Sequence, residues 1–170
     1  MTAAKPTVEP TDRLAVVGLG SELRGDDAAG LALVRRLSPA DGGAGSNRPA
    51  PADGDRLLTV EGGVAPENYT GVVRRFDPDW VVLVDAVDFG GDPGTGKWVD
   101  PDDLGGESFS SHKSTPAMLT TFLARETGAE VALFGVQPAS VGLGEDLSPA
   151  VASRLDDLAA ALADALGVDA

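Results

Sequence analysis

Residues 14–37 read LAVVGLGSELRGDDAAGLALVRRL and contain the pattern that decides the fold. The apolar run at 14–17 predicts a buried strand, and Gly18 and Gly20 predict a turn directly after it. The segment at 26–37 predicts a helix, because acidic residues stand at its start and two arginines near its end, as the helix dipole favours. The first unit of the fold is therefore a strand, a turn and a helix.

The rest of the chain alternates in the same way. Further strands are predicted from apolar runs at 57–60, 80–84, 97–99 and 131–136. Helices are predicted from proline-started segments at 66–76, at 116–125 and beyond Pro149. In the helix predicted at 116–125, the residues expected to form a buried stripe are Met118, Leu119, Phe122 and Leu123. This alternation predicts an α/β fold, a single three-layer domain with a mostly parallel twisted sheet of about five strands flanked by helices.

The length of 170 residues suits one domain, which we place at 13–168. Residues 1–12 are polar and predict a flexible N-terminal tail. Residues 38–56 are rich in Gly, Pro, Ala and Asp and predict a surface loop insertion.

The charge of the chain limits its partners. The formal net charge is −14, which disfavours nucleic acid and anionic membranes. The composition is also typical of proteins from a high-salt cytoplasm, where salt screens self-repulsion. With no signal-like start and no long apolar run, a cytoplasmic protein is expected. Cysteine is absent, so disulfides and thiolate chemistry are excluded.

Polar residues that could carry chemistry follow the predicted strands, at the edge where parallel sheets bind their ligands. Asp26 and Asp27 begin the first helix. A dinucleotide fingerprint would need glycine at position 23, where Leu23 stands, and a phosphate would face two carboxylates. The acid pair therefore suits a cation or a polar backbone better than an anion. The alternative is that Asp26 or Asp27 serves merely as a cap of the helix.

Asp85 follows the apolar run of the third strand, and burial there demands a partner for its carboxylate. Asp88 is better explained by bonds to loop amides. His112, the single histidine, stands just before a predicted helix and is the one side chain that titrates near neutrality. If the sheet brings them together, Asp27, Asp85 and His112 supply two oxygens and one nitrogen, a ligand set suited to nickel, zinc or iron.

Two further motifs lie at predicted strand ends, Glu61-Gly62-Gly63 and Gln137-Pro138. Glycines at such positions let a bound peptide approach the backbone. Turn geometry explains both motifs equally well.

These residues resemble the [NiFe]-hydrogenase maturation endopeptidases from Leu14 to about Val151. The family's glycine turn and acid pair are similar to VGLGSELRGDD at 17–27, and its second acid is similar to Asp85. The remaining matches are EGGVAPEN at 61–68, DPG at 92–94, DPDDL at 100–104, Ser111-His112, Pro116 and GVQP at 135–138. The Pro-Glu-Asn at 66–68 favours the branch that serves formate-hydrogenlyase-type hydrogenases (hydrogenase 3). Ser21 and Ala28 depart from the family's usual asparagine and glycine, and the loop at 38–56 is longer than expected.

The resemblance implies an aspartic-type endopeptidase that removes a C-terminal extension from the nickel-loaded large-subunit precursor of a hydrogenase. It implies that Asp27, Asp85 and His112 are the catalytic and metal-contacting residues, that the nickel belongs to the precursor, and that no cofactor is tightly bound. A monomer that meets its substrate transiently is expected. Two other classes remain open, a non-catalytic chaperone that docks on a nickel-containing precursor and a small-molecule hydrolase or binding domain on the same scaffold.

Overall fold

The computed structural model describes residues 5–38, 50–52, 56–104 and 116–169. The strands are β1 (Leu14–Leu19), β2 (Ala50–Ala52), β3 (Leu57–Gly63), β4 (Trp80–Ala86), β5 (Gly96–Val99) and β6 (Glu130–Val136). The α-helices are α1 (Ala29–Leu37), α2 (Thr70–Phe76), α3 (Pro116–Thr127), α4 (Pro149–Ala152) and α5 (Leu155–Leu166). Short 3₁₀ helices cover Gly25–Ala28, Pro66–Tyr69 and Pro101–Asp103.

The strands form one sheet in the order β2-β3-β1-β4-β6-β5. The four central strands are parallel, while the edge strands β2 and β5 each run antiparallel to their neighbour. The predicted mostly parallel α/β sheet is therefore confirmed. Its five predicted strands are all present, and β2 is an additional three-residue strand within the stretch 38–56.

Helices cover both faces of the sheet because the central strands are apolar on both faces. In β1, Leu14 and Val16 belong to the core under α1 and α5, whereas Ala15 and Val17 belong to the core under α2 and α3. All six residues of β1 are buried, as expected for a central parallel strand. The three-layer arrangement follows directly from this double burial.

Three predicted helices differ in detail. The helices predicted at 26–37 and 66–76 each begin with a 3₁₀ turn, and the last helix is divided into α4 and α5. On α3, Leu119 and Leu123 are buried as predicted, but Met118 and Phe122 are 58% and 39% exposed, so that part of the stripe was wrong. Each of the two lies about 100° around the helix from its buried neighbour, which turns it away from the sheet.

The described residues before β1, 5–13, are in contact with the domain. Pro6 is buried, Val8 packs against the core under α5, and Arg56 donates hydrogen bonds to the carbonyls of Glu9 and Asp12. The predicted limits of the domain stay a prediction. In the part of the chain that the structure describes, no helix has the length and apolarity needed to cross a membrane.

Candidate functional site

The turn after β1 places Asp27 at the carboxyl edge of the sheet. Gly20 has a φ of 110°, and a Cβ on it would lie 1.9 Å from the carbonyl oxygen of Asp27. This close approach requires glycine. The Ser21 N–H donates a hydrogen bond to Oδ2 of Asp27 at 2.8 Å, and the Asp27 residue is only 6% exposed. The strand, the turn and the 3₁₀ helix together hold this carboxylate in one position.

Asp85 lies at the same edge, near the end of β4. Its Oδ1 accepts a hydrogen bond from the N–H of Ala86 at 2.8 Å. The pKa of Asp85 is raised from 3.8 to about 8, chiefly by burial and in addition by the negative charge of Asp27, while the Ala86 hydrogen bond acts in the opposite direction. At neutral pH Asp85 therefore carries a proton and can donate it in a hydrogen bond.

The two acids come together because α1 starts directly against the sheet. A Cβ on Gly30, in the first turn of α1, would lie 2.2 Å from the carbonyl oxygen of Val84 and 2.6 Å from that of Leu19. With glycine there, the backbone that follows Asp27 contacts the strand end that precedes Asp85. The predicted convergence of these two acids is thus visible in the fold.

The third predicted ligand, His112, lies outside the described residues. Among the residues that are described, no three His, Cys, Asp or Glu side chains converge as metal ligands. The structure therefore brings together Asp27 and Asp85, and the role of all three residues stays a prediction. Two adjacent carboxylates, one of them protonated, can accept a cation if the proton leaves, and a bound cation would lower the pKa of Asp85.

Asp26 has a role that the sequence did not indicate. Its side chain is fully buried and accepts hydrogen bonds from the N–H groups of Ala139 (2.8 Å), Ser140 (3.2 Å) and Ser148 (2.7 Å) and from the Ser148 hydroxyl (2.8 Å). The predicted alternative, an acid that caps the helix, is wrong, because neither the 3₁₀ helix nor α1 has a side-chain cap. Asp26 instead fastens the loop 139–148 to the turn that carries Asp27.

The 3₁₀ start of the first helix accounts for this division of roles. Successive residues of a 3₁₀ helix are about 120° apart, so adjacent carboxylates point in different directions. An acid pair at such a helix start therefore cannot place both side chains in one site. The partners of Asp26, which lie more than 100 residues further along the chain, could not be identified in this way.

Gln137 fixes the loop that follows Asp85. The buried side-chain carbonyl of Gln137 accepts hydrogen bonds from the N–H groups of Phe89 (2.9 Å) and Gly91 (3.1 Å), and its amide nitrogen donates to Oδ1 of Asp88 (3.1 Å). Asp88 also accepts from the N–H of Gly90. The interpretation of Asp88 as an acid that satisfies loop amides is confirmed.

The end of β3 is held by charge and by close packing. Arg35 of α1 forms ion pairs with Glu61 and with Glu22, and a Cβ on Gly62 would lie 2.9 Å from Cγ1 of Val17. Turn geometry is thus sufficient to explain this glycine motif. Approach of a bound peptide to it stays a prediction.

Comparison with known proteins places this arrangement in a family. Residues 49–165 match the family model described as hydrogenase maturation protease. The chain is 31% identical to the hydrogenase 3 maturation protease of Escherichia coli K12 over 124 residues, which are 73% of this chain and 72% of that protein. The structure is similar to the crystal structure of the [NiFe] hydrogenase maturation protease HycI from Thermococcus kodakarensis, with a TM-score of 0.72, 33% identity and coverage of 92% and 93% of the two chains. It is also similar to the hydrogenase maturating endopeptidase HybD of E. coli, with a TM-score of 0.67, 25% identity and coverage of 91% and 92%. The family match and the identity to the E. coli protein together show that this chain belongs to the hydrogenase maturation protease family.

Proposed function

We propose that this chain is an endopeptidase that removes the C-terminal extension of a nickel-loaded hydrogenase large-subunit precursor. The observation that carries the proposal is the pairing of Asp27 and Asp85 at the carboxyl edge of the sheet, where burial and mutual repulsion keep a proton on Asp85. Such a pair is costly to keep in the free protein. A cation delivered by the substrate relieves that cost.

In this proposal Asp27, Asp85 and His112 contact the nickel that the precursor carries, and the chain itself binds no cofactor tightly. Two carboxylate oxygens and one imidazole nitrogen suit a divalent transition metal and leave coordination positions for the precursor's own ligands. Loss of the Asp85 proton accompanies this contact. The metal then polarises the scissile carbonyl or a water molecule, so that cleavage depends on nickel insertion.

The partner in this proposal is the large-subunit precursor, which a monomer of this chain meets transiently in the cytoplasm. The net charge of −14 supports the absence of nucleic-acid and membrane partners, because both are polyanionic. It also opposes the close approach of a second copy.

The test is a comparison of nickel-loaded precursor with metal-free precursor, each incubated with the purified chain while the C-terminal mass is followed. Cleavage of the nickel form alone is expected, and it should be lost in Asp85→Ala and His112→Ala. Asp164→Asn, which alters an exposed acid on α5, is the matched control and should cleave normally. Equal cleavage of the metal-free form would refute the nickel dependence, and tight binding without a mass change would support the non-catalytic chaperone instead.

A further inference from the structure

Two exposed leucines lie on the turn that carries Asp27 and on the loop 139–148 that is bonded to this turn. Leu143 is 80% exposed and Leu23 is 68% exposed, more than any other large apolar residue that the structure describes. The loops that carry them are joined by a hydrogen bond from the Gly144 N–H to the Leu23 carbonyl oxygen at 2.7 Å. Val64, 46% exposed, follows β3 on the neighbouring strand end, where the Gly20 N–H donates to the Gly63 carbonyl oxygen. Single exposed apolar residues are ordinary, but three at one functional edge indicate a contact surface.

The two loops are held in place by hydrogen bonds between them. The Gly25 N–H donates to the Glu145 carbonyl oxygen at 3.0 Å, and the Asp26 N–H donates to that of Ser140 at 2.9 Å. The fully buried Asp26 side chain adds its four bonds to the same loop. The exposure of the leucines is therefore imposed by the fold, and a partner would meet a surface that is already ordered.

The charges around this surface decide what can cover it. Glu22 and Glu61 lie on the same edge, where Arg35 is paired with both, and Glu145 accepts a hydrogen bond from the Ser140 hydroxyl. With a net charge of −14, the chain repels acidic segments and further copies of itself. The occupant that fits is an apolar segment without carboxylates.

We propose that Leu23, Leu143 and Val64 form a docking surface for an apolar, non-acidic segment of the precursor next to the bond that is cut. This inference rests on the proposed function. Leu23 is four residues from Asp27, on the turn that positions it, so a precursor segment that reaches the acid pair passes beside Leu23. The leucines supply affinity and register, while the acids contact the nickel.

The test measures cleavage kinetics and calorimetric binding of the nickel-loaded precursor with Leu143→Ser and Leu23→Ser. Each variant should raise KM and Kd about tenfold, which corresponds to partial loss of one leucine contact, and should leave kcat unchanged. Leu143→Met should keep the wild-type KM because methionine is an apolar side chain of similar volume. Phe122→Ser, which alters an exposed apolar residue of α3 outside the proposed surface, is the matched control and should keep the wild-type KM.

The outcomes separate this surface from the proposed function. Unchanged KM and Kd in both leucine variants would overturn the surface. A lower melting temperature of Leu143→Ser would show that the chain itself covers this leucine. A wild-type protein that is dimeric and a Leu143→Ser variant that is monomeric would show that a second copy covers it. Either result would also overturn the proposed docking surface. Wild-type protein that binds the precursor without cleaving it, and binds more weakly in the variants, would refute the peptidase and support the surface. Wild-type protein that neither binds nor cleaves would refute both.

Discussion

Replacing Asp85 by asparagine should change how stability depends on pH. In the folded chain burial, aided by Asp27, raises the pKa of Asp85 from 3.8 to about 8, so the folded state keeps a proton that the unfolded state loses. The stabilising contribution of this group is complete below pH 3.8 and declines as the pH rises to about 8. Each pH unit in this window costs about 1.4 kcal/mol, so wild type should lose roughly 2–3 kcal/mol relative to Asp85→Asn between about pH 5 and pH 7.

The assay is urea unfolding of metal-free protein, followed by the fluorescence of Trp80 and Trp98, at several pH values in that window. The informative quantity is the unfolding free energy of Asp85→Asn minus that of wild type, because the titration of groups that do not interact with Asp85 cancels in this difference. Asp92→Asn makes the same chemical change at an exposed site and should give a difference that does not vary with pH. A flat difference for Asp85→Asn as well would show that Asp85 is ionised in the folded protein, and the reasoning about the acid pair would fail.

Three further predictions concern the frame of the site and the charge of the chain. Asp26→Asn should lower the unfolding free energy by about 3 kcal/mol in denaturant titrations, because a buried acceptor of four hydrogen bonds loses its charge and one acceptor oxygen. The control Asp156→Asn, which removes a surface ion pair, should leave the unfolding free energy nearly unchanged. Gly30→Ala should destabilise by about 3 kcal/mol because its Cβ would overlap two backbone carbonyls, whereas Gly71→Ala, where the nearest atom is the movable Arg75 Nη1 at 3.3 Å, should stabilise by about 0.5–1 kcal/mol. Raising KCl from about 0.1 M to 1 M should increase the urea midpoint, because the screening length falls from about 10 Å to about 3 Å. If uncharged sucrose raised the urea midpoint by the same amount, charge screening would not be the cause.

The fold was predictable where burial leaves a strong pattern. Leu14–Leu19 has no polar side chain, which is typical of a central strand covered on both faces. The strand order was not predictable, because it depends on which apolar surfaces pack best across the whole chain. β2 was missed because three residues of Ala and Pro in a Gly- and Pro-rich stretch carry no periodic signal. On α3 the four apolar residues fit one stripe by spacing, yet α3 buries only two of them.

The site was predictable to the extent that position along a strand predicts position in space. Asp27 and Asp85 each follow an apolar strand, and parallel strands present their carboxyl ends at one edge. The choice of Asp27 over Asp26 came from the family resemblance. The donors that surround Asp26 and Gln137 come from segments 46 to 122 residues away, and no local pattern indicates such partners.

The two adjacent acids are not interchangeable, because their surroundings differ. The Asp26 carboxylate accepts four hydrogen bonds from the described residues, so it has little capacity left for a ligand. Asp27 accepts a single hydrogen bond from the described residues, at Oδ2, and therefore keeps capacity for a cation or for the proton on Asp85. The first acid thus orders the loop that presents Leu143, and the second, in the proposed function, contacts the metal at the edge that this loop borders. A substrate that needs both a metal contact and an apolar contact would find them fixed relative to each other by one pair of neighbouring residues.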